Sequence, residues 1–207
     1  MTPPRAAALV AVAATLAAAP PLAADAPAVL VVYDDAGAPD NRGHWAEIMT
    51  GGDGASVGID MADRSRPTAS GETAVRLDFV FGPTPGSWAG VVVTSAPGYW
   101  GATPGPAFDL TAADRLVFSV RGAAGGEAIR VKVAIAEDAP AGDSAPLPFD
   151  TGWLSLDRNW QRFELPLDGS ALKRVITPFV VIANRAHNPA GRATVYVDDI
   201  RFAPAGS

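Results

Sequence analysis

The chain has 207 residues, no cysteine and two histidines, and its formal net charge is −6 at pH 7. The lack of cysteine excludes disulfides, thiol chemistry and cysteine-ligated metal centres. The acidic balance argues against nucleic acid or an anionic membrane as partner, and it is compatible with neutral ligands or cations.

The first 24 residues have the pattern of an export signal. Arg5 precedes a nearly unbroken run of Ala, Val and Leu at Ala6–Ala19, and small residues before Asp25 offer a cleavage site. The run is too short and too rich in alanine for a membrane span, which needs about 20 strongly apolar residues; a retained anchor helix is the alternative. We predict a signal peptide at residues 1–24, one domain at 28–204, and a location in the periplasm or outside the cell.

Alternation of apolar and polar residues dominates the remaining chain, which is typical of half-buried strands. Strands are predicted at Val29–Tyr33, Thr73–Phe81, Ala89–Thr94, Leu116–Arg121, Ile129–Ile135, Trp160–Leu165, Phe179–Ala183 and Ala193–Phe202. Turns rich in Gly and Pro separate them, and one short helical turn is predicted near Ser170–Arg174. This pattern predicts an all-β fold, a β-sandwich or jelly roll.

Three motifs occur in a characteristic order. Residues 116–122 form a strand that ends in Arg-Gly, residues 160–167 read Trp-x-x-Phe-x-x-Pro-Leu, and residues 195–200 end in Asp-Asp-Ile. Over residues 28–202 this order resembles the jelly-roll carbohydrate-binding modules with a galactose-binding-like fold. The resemblance implies that fold and non-catalytic binding of a polysaccharide or other glycan.

The same resemblance implies a structural calcium ion near the chain ends. The positions that match its ligands are Asp34 and Asp35 after the first strand, and Asp198 and Asp199 in the last. Calcium takes six to eight oxygen ligands, many of them carboxylates. Alternation predicts that Asp198 and Asp199 face opposite ways, so that only one of them binds. The alternative is that all four are turn or edge acids, or partners of nearby arginines.

Aromatic residues in loops are candidates for stacking on sugar rings. Trp88, Tyr99 and Trp100 lie in or beside turns rich in Pro and Gly, and His44 and Trp45 lie in a polar segment. We predict that these residues bind the ligand; the alternative is that they close the ends of the sandwich.

Arg121 is predicted to donate hydrogen bonds to the ligand. It lies out of phase with the apolar residues of its strand, as do Arg130, Lys132 and Asn184. These residues mark either a polar binding face, which would favour an anionic glycan, or an ordinary solvated face. The tryptophans at positions 153 and 160 are predicted to lie in the core.

Catalytic patterns are weak. Gly54-Ala55-Ser56-Val57-Gly58 has the spacing of a nucleophile elbow, but no helical pattern follows it. A glycoside hydrolase needs two facing carboxylates, and no spacing here pairs them. We predict a binding protein that acts with an enzyme or cell-envelope partner. The alternatives are a structural or protein-interaction module of the envelope and a small polysaccharide-active enzyme.

Overall fold

The computed structural model describes residues 28–64 and 67–204, except for the side chains of Trp45 and Ala46. The predicted signal peptide lies outside these residues. No helix within them is long and apolar enough to cross a membrane. The described residues form eleven strands: β1 Leu30–Tyr33, β2 His44–Gly51, β3 Ser56–Asp63, β4 Ala74–Val80, β5 Trp88–Thr94, β6 Ala113–Gly122, β7 Ala128–Val133, β8 Phe149–Ser155, β9 Gln161–Pro166, β10 Phe179–Asn184 and β11 Arg192–Pro204.

These strands form two antiparallel sheets packed face to face. The six-stranded sheet has the order β3-β4-β11-β6-β9, and β1 also pairs with β11. The five-stranded sheet has the order β2-β5-β10-β7-β8. The all-β sandwich prediction is confirmed, and the eight predicted strands are all present. A 3₁₀ turn at Gly169–Ala171 lies where a helical turn was predicted.

The core lies between the sheets and consists of the inward residues of both. Phe118 of β6 contacts Phe163 of β9 with ring centroids 5.7 Å apart, and it meets Phe179 of β10 edge-on at 5.8 Å. Phe118 and Phe179 are fully buried. Because these rings come from opposite sheets, they join the two layers, and each contributes about 2–3 kcal/mol by leaving water.

Three strands, β2, β3 and β8, were not predicted from the sequence. Each is an edge strand in its sheet. His44 and the backbone of Trp45 belong to β2, so the prediction that they lie in a loop was wrong. Ser56 begins β3 and is followed by strand, so the nucleophile-elbow pattern lacks the helix that an elbow requires.

Candidate functional site

Trp88 forms a flat surface on the outer face of the five-stranded sheet. Its cross-strand partner is Gly51, where a Cβ would lie 2.0 Å from the indole Nε1. A Cβ on Gly90, two residues along β5, would lie 3.7 Å from the indole Cζ3. The half-buried ring therefore lies along the sheet above two glycines, which leave the space that it fills.

A row of outward-facing residues crosses all five strands of this sheet at the position of Gly90. The register pairs Met49 with Gly90, Gly90 with Ile182, Ile182 with Arg130, and Arg130 with Trp153. Residues directly opposite each other in antiparallel strands share a face. The row is therefore one continuous strip, with an indole above Gly90 and a second indole three strands away, at about 14 Å.

Trp153, predicted to lie in the core, is instead on this outer face. Its indole stacks on the imidazole of His187, with ring centroids 4.0 Å apart and an interplanar angle of 17°. His187 is held in turn by Asn184, whose Oδ1 accepts the backbone N–H of His187 and lies 2.9 Å from its Nδ1. Asn184 is the cross-strand partner of Trp88. The two indoles are thus linked through the end of β10.

An ion cluster lies beside the row. Asp150 Oδ1 accepts from Arg130 Nε at 2.6 Å, and Asp150 Oδ2 lies 2.5 Å from Arg130 Nη2 and 3.2 Å from Lys132 Nζ. Burial raises the pKa of Asp150, but hydrogen bonds from Arg130, the Gly152 N–H and Lys132 outweigh it and lower the pKa below its ordinary value. Asp150 therefore stays charged at neutral pH.

Other predicted ligand residues lie at the opposite end of the sheet. His44 pairs with Thr94, the last residue of β5, while Trp88 is the first, about 20 Å away. The half-buried Tyr99 and Trp100 follow in the loop of residues 95–106. Gly98 of this loop donates its N–H to Glu47 of β2, so the loop borders the outer face.

Arg121 lies on the other sheet. It is 7% exposed on the outer side of β6, with its guanidinium 4.1 Å from the ring centroid of Tyr196 and 5.3 Å from that of Trp160. Trp160, also predicted as core, is half-buried there and donates its Nε1–H to Pro67 O. A cavity of about 160 Å³ lies between Arg121 and the loop before Trp160. The structure therefore does not bring Arg121 together with Trp88.

A larger cavity of about 460 Å³ lies at one end of the sandwich, between the β6–β7 turn and the β10–β11 loop. Two of its polar side chains bond the protein itself: Glu127 Oε1 accepts the N–H of Ala124, and the amide of Asn188 bonds the N–H and C=O of Ala128. Glu127 Oε2 is buried without a hydrogen-bond partner among the described residues. The described residues that line this cavity include no aromatic ring on which a sugar could stack, so the open row with its two indoles is the better candidate for a glycan site.

Solved structures with this architecture include two carbohydrate-binding modules. A family 30 module has a TM-score of 0.51 and 16% identity, covering 84% of this chain and 98% of its own. A family 11 module from Clostridium thermocellum, in complex with a β-1,3-1,4-mixed-linked tetrasaccharide, has a TM-score of 0.50 and 14% identity, covering 78% and 89%. The chain has the jelly-roll fold of carbohydrate-binding modules. No protein-family model and no curated protein matches the sequence.

The predicted calcium ligands lie on the six-stranded side, around the segment of residues 67–73. Asp198 is fully buried; its Oδ2 accepts the N–H groups of Ala69 and Ser70, and its Oδ1 accepts that of Asp199. Burial raises the pKa of Asp198 to about 6, although these N–H groups favour the charged form.

The other three acids of this set also have partners. Asp35 Oδ1 accepts the N–H groups of Glu72 and Thr73 and the Thr73 hydroxyl. Burial raises the pKa of Asp35, but these hydrogen bonds outweigh it and lower the pKa. The exposed Asp34 accepts the Ser70 hydroxyl at 3.3 Å, and Asp199 pairs with an arginine two residues along β11.

This arrangement does not fit a calcium ion, because the carboxylate oxygens bond N–H groups, hydroxyls and a guanidinium instead of converging on one point. Within residues 28–64 and 67–204, no group of three or more His, Cys, Asp or Glu side chains is placed to hold a metal. Calcium binding stays a prediction, to be tested directly.

Proposed function

We propose that this protein is an exported, non-catalytic carbohydrate-binding protein that holds a glycan across the outer face of its five-stranded sheet. The observation that carries the proposal is the indole of Trp88, which lies flat above Gly51 and Gly90 and beside the row that continues through Ile182 and Arg130 to Trp153. The jelly-roll fold, shared with modules that bind glycans, supports it.

The binding mechanism follows from the row. Sugar rings have apolar C–H faces that pack on flat indoles and hydroxyl edges that need hydrogen-bond partners. Trp88 and Trp153 would each hold one ring, and Arg130 between them would donate to hydroxyl groups. The surface is largely preformed, since glycines and strand pairing fix the first indole and the His187 stack fixes the second, so little ordering free energy is lost on binding.

A non-catalytic role is supported by the acids of this face. Hydrolysis of a glycosidic bond needs two carboxylates, one on each side of the bond. Among the described residues of the row and its ion cluster, the single carboxylate is Asp150, and both of its oxygens bond cations. Glu47 lies on the same face three strands from Lys132, at about 14 Å, and accepts the Gly98 N–H. Export is supported by the N-terminal run of residues 1–24.

The test is a glycan-binding screen of the wild-type protein followed by affinity measurements on Trp88→Ala. Loss of a central aromatic contact should weaken binding by about tenfold or more. Trp160→Ala is the matched control, because it removes the same side chain from the opposite sheet. Equal binding by wild type and Trp88→Ala would contradict the site, and absence of binding to every glycan would favour a protein partner in the cell envelope.

Calcium binding, which stays a prediction, is tested by thermal unfolding. If the acids around residues 67–73 bind calcium, adding it should raise the unfolding temperature and chelation should lower it, because an ion that binds only the folded state stabilises that state. An unfolding temperature that is the same under both conditions would rule out a stabilising calcium ion and leave the proposed glycan site unaffected.

A further inference from the structure

The ion cluster beside the row carries an unbalanced positive charge. Arg130 and Lys132 both point outward from β7, and they share the single carboxylate of Asp150. Because Asp150 Oδ1 also accepts the Gly152 N–H, its oxygens are fully engaged. Two cations and one anion leave a net charge of +1 on β7 and β8, between Trp153 and the indole above Gly90.

This charge is held in place. The side chains of Arg130, Lys132 and Asp150 are 36%, 23% and 21% exposed, so the cluster is partly withdrawn from water while remaining reachable from the face. Partial burial strengthens the interaction of a charge with a ligand ion, and fixed geometry lowers the entropy lost on binding.

The cluster lies between the two stacking surfaces. Arg130 is one strand from Trp153 and two strands from Gly90, which the indole of Trp88 overlies. Glu47, another carboxylate on this face, is three strands from Lys132, at about 14 Å, and accepts the Gly98 N–H. A substituent on a sugar held in the row would therefore meet the cations before it met that acid.

The positive charge of this cluster contrasts with the negative charge of the whole protein. The chain carries a net charge of −6, so general electrostatic attraction of polyanions is unfavourable. An anionic ligand would have to gain its affinity at short range, through charge-assisted hydrogen bonds to these two cations.

We propose that the row selects acidic glycans, with Arg130 and Lys132 binding the carboxylate or sulfate group of a sugar held between Trp88 and Trp153. This inference rests on the proposed glycan site and adds its chemical class. Neutral glycans would still stack on the indoles but would lack the charge-assisted contact.

The experiment compares glycans that differ mainly in charge. Polygalacturonate and its methyl ester form the carboxylate pair, and a sulfated galactan and the corresponding neutral galactan form the sulfate pair. The charged member should bind about tenfold more tightly, and the pair that shows the preference identifies the group recognised. Added salt should reduce the preference.

Three variants test the cluster: one removes a positive charge from it, one removes its negative charge, and one is a control elsewhere on the surface. Lys132→Gln keeps the Arg130–Asp150 pair and should bring the ratio of charged to neutral affinity close to one. Asp150→Asn should raise that ratio, which a loss of folding cannot imitate. Lys173→Gln removes one exposed lysine elsewhere and should leave the ratio unchanged. Unfolding curves of each variant verify that it is folded.

The outcomes separate the two proposals. Equal binding of both members of each pair would overturn the selection of acidic glycans and leave the glycan site standing. A preference that Lys132→Gln and Lys173→Gln reduce equally would also overturn it. Absence of binding to all four polymers and to every glycan of the wider screen would overturn the glycan site itself.

Discussion

The outer faces of the two sheets carry similar residues and use them differently. On the six-stranded sheet, segment 67–73 lies over the face, where Asp198 binds its N–H groups and Trp160 binds Pro67 O. On the five-stranded sheet, Trp88 and Trp153 remain half-exposed. Indoles, arginines and acids occur on both faces.

The comparison shows that a polar residue on an outer face can be buried against the chain itself or stay accessible to a ligand. Arg121 is 7% exposed between two aromatic rings, whereas Arg130 is 36% exposed between an isoleucine and an indole. Both are arginines at outward positions of central strands. The difference is that the rings of Tyr196 and Trp160 pack on Arg121, and the segment of residues 67–73 holds Trp160 there through Pro67 O.

The largest loss of stability is expected at Asp198, which holds the segment of residues 67–73 on the six-stranded sheet. Asp198→Ala would leave the N–H groups of Ala69, Ser70 and Asp199 without their acceptor, and the free energy of unfolding should fall by about 3 kcal/mol. Urea denaturation measures this. Asp34→Ala, which removes one exposed contact to a hydroxyl, should cost less than about 0.5 kcal/mol. Equal losses in the two variants would mean that Asp198 does not hold the segment.

The second prediction concerns pH. The pKa of Asp198 is raised from 3.8 to about 6 by burial, so between these values the folded state binds more protons than the unfolded state. The free energy of unfolding should therefore fall as pH rises through this window, by about 2 kcal/mol from this group. Asp35 and Asp150 have lowered pKa values, and their stabilisation is lost only as pH falls below 3.8.

Urea denaturation at several pH values tests this sign. Asp198→Asn cannot ionise, so its free energy of unfolding should lack the fall between pH 4 and pH 6, a window set by the pKa values above. The same slope in the wild type and in Asp198→Asn would show that another group causes it. Glycan affinity should follow neither curve, because Asp198 lies on the face opposite the proposed site.

The third prediction tests the flat indole without removing it. Gly51→Ala places a methyl group 2.0 Å from Trp88 Nε1, which is too close, so the ring must tilt off the sheet. Glycan affinity should fall about tenfold while the fold is retained. Gly58→Ala is the matched control, because its methyl group would meet only Asp78 Cβ at 3.8 Å. Unchanged affinity in Gly51→Ala would show that the position of this ring is not important.

Much of the fold could be predicted because the interior strands have strong apolar patterns: β4 and β7 alternate, whereas β5 and β10 are nearly continuous apolar runs. The strands that were missed, β2, β3 and β8, are edge strands. Edge strands pair on one side only and keep polar residues to avoid further pairing, which weakens the apolar pattern. Ile48 of β2, for example, remains 50% exposed.

The site was predicted only in part, and β8 shows why. Asp150 and Trp153 are three residues apart, so strict alternation places them on opposite faces. A bulge in the pairing with β7, where Gly152 has φ +67°, puts both on the outer face instead. Similarly, nothing in the strand of Arg121 reveals a segment from residues 67–73 that covers it. Trp88 was predicted as a ligand residue because it stands beside a turn; the structure places it on an outer face, and its role in binding stays a prediction.

The smallest effect is expected at the rim of the open face. The hydroxyl of Tyr99 donates to Thr103 O at 2.8 Å and accepts from Arg174 Nη2 at 2.7 Å, so it ties the loop of residues 95–106 to the sandwich. Tyr99→Phe should lower the free energy of unfolding by about 1 kcal/mol and change glycan affinity less than about twofold. Tyr33→Phe, which loses a partly buried hydrogen bond to Met61 O, is the control for stability alone. A clear loss of affinity in Tyr99→Phe at unchanged stability would extend the site from the row to this loop.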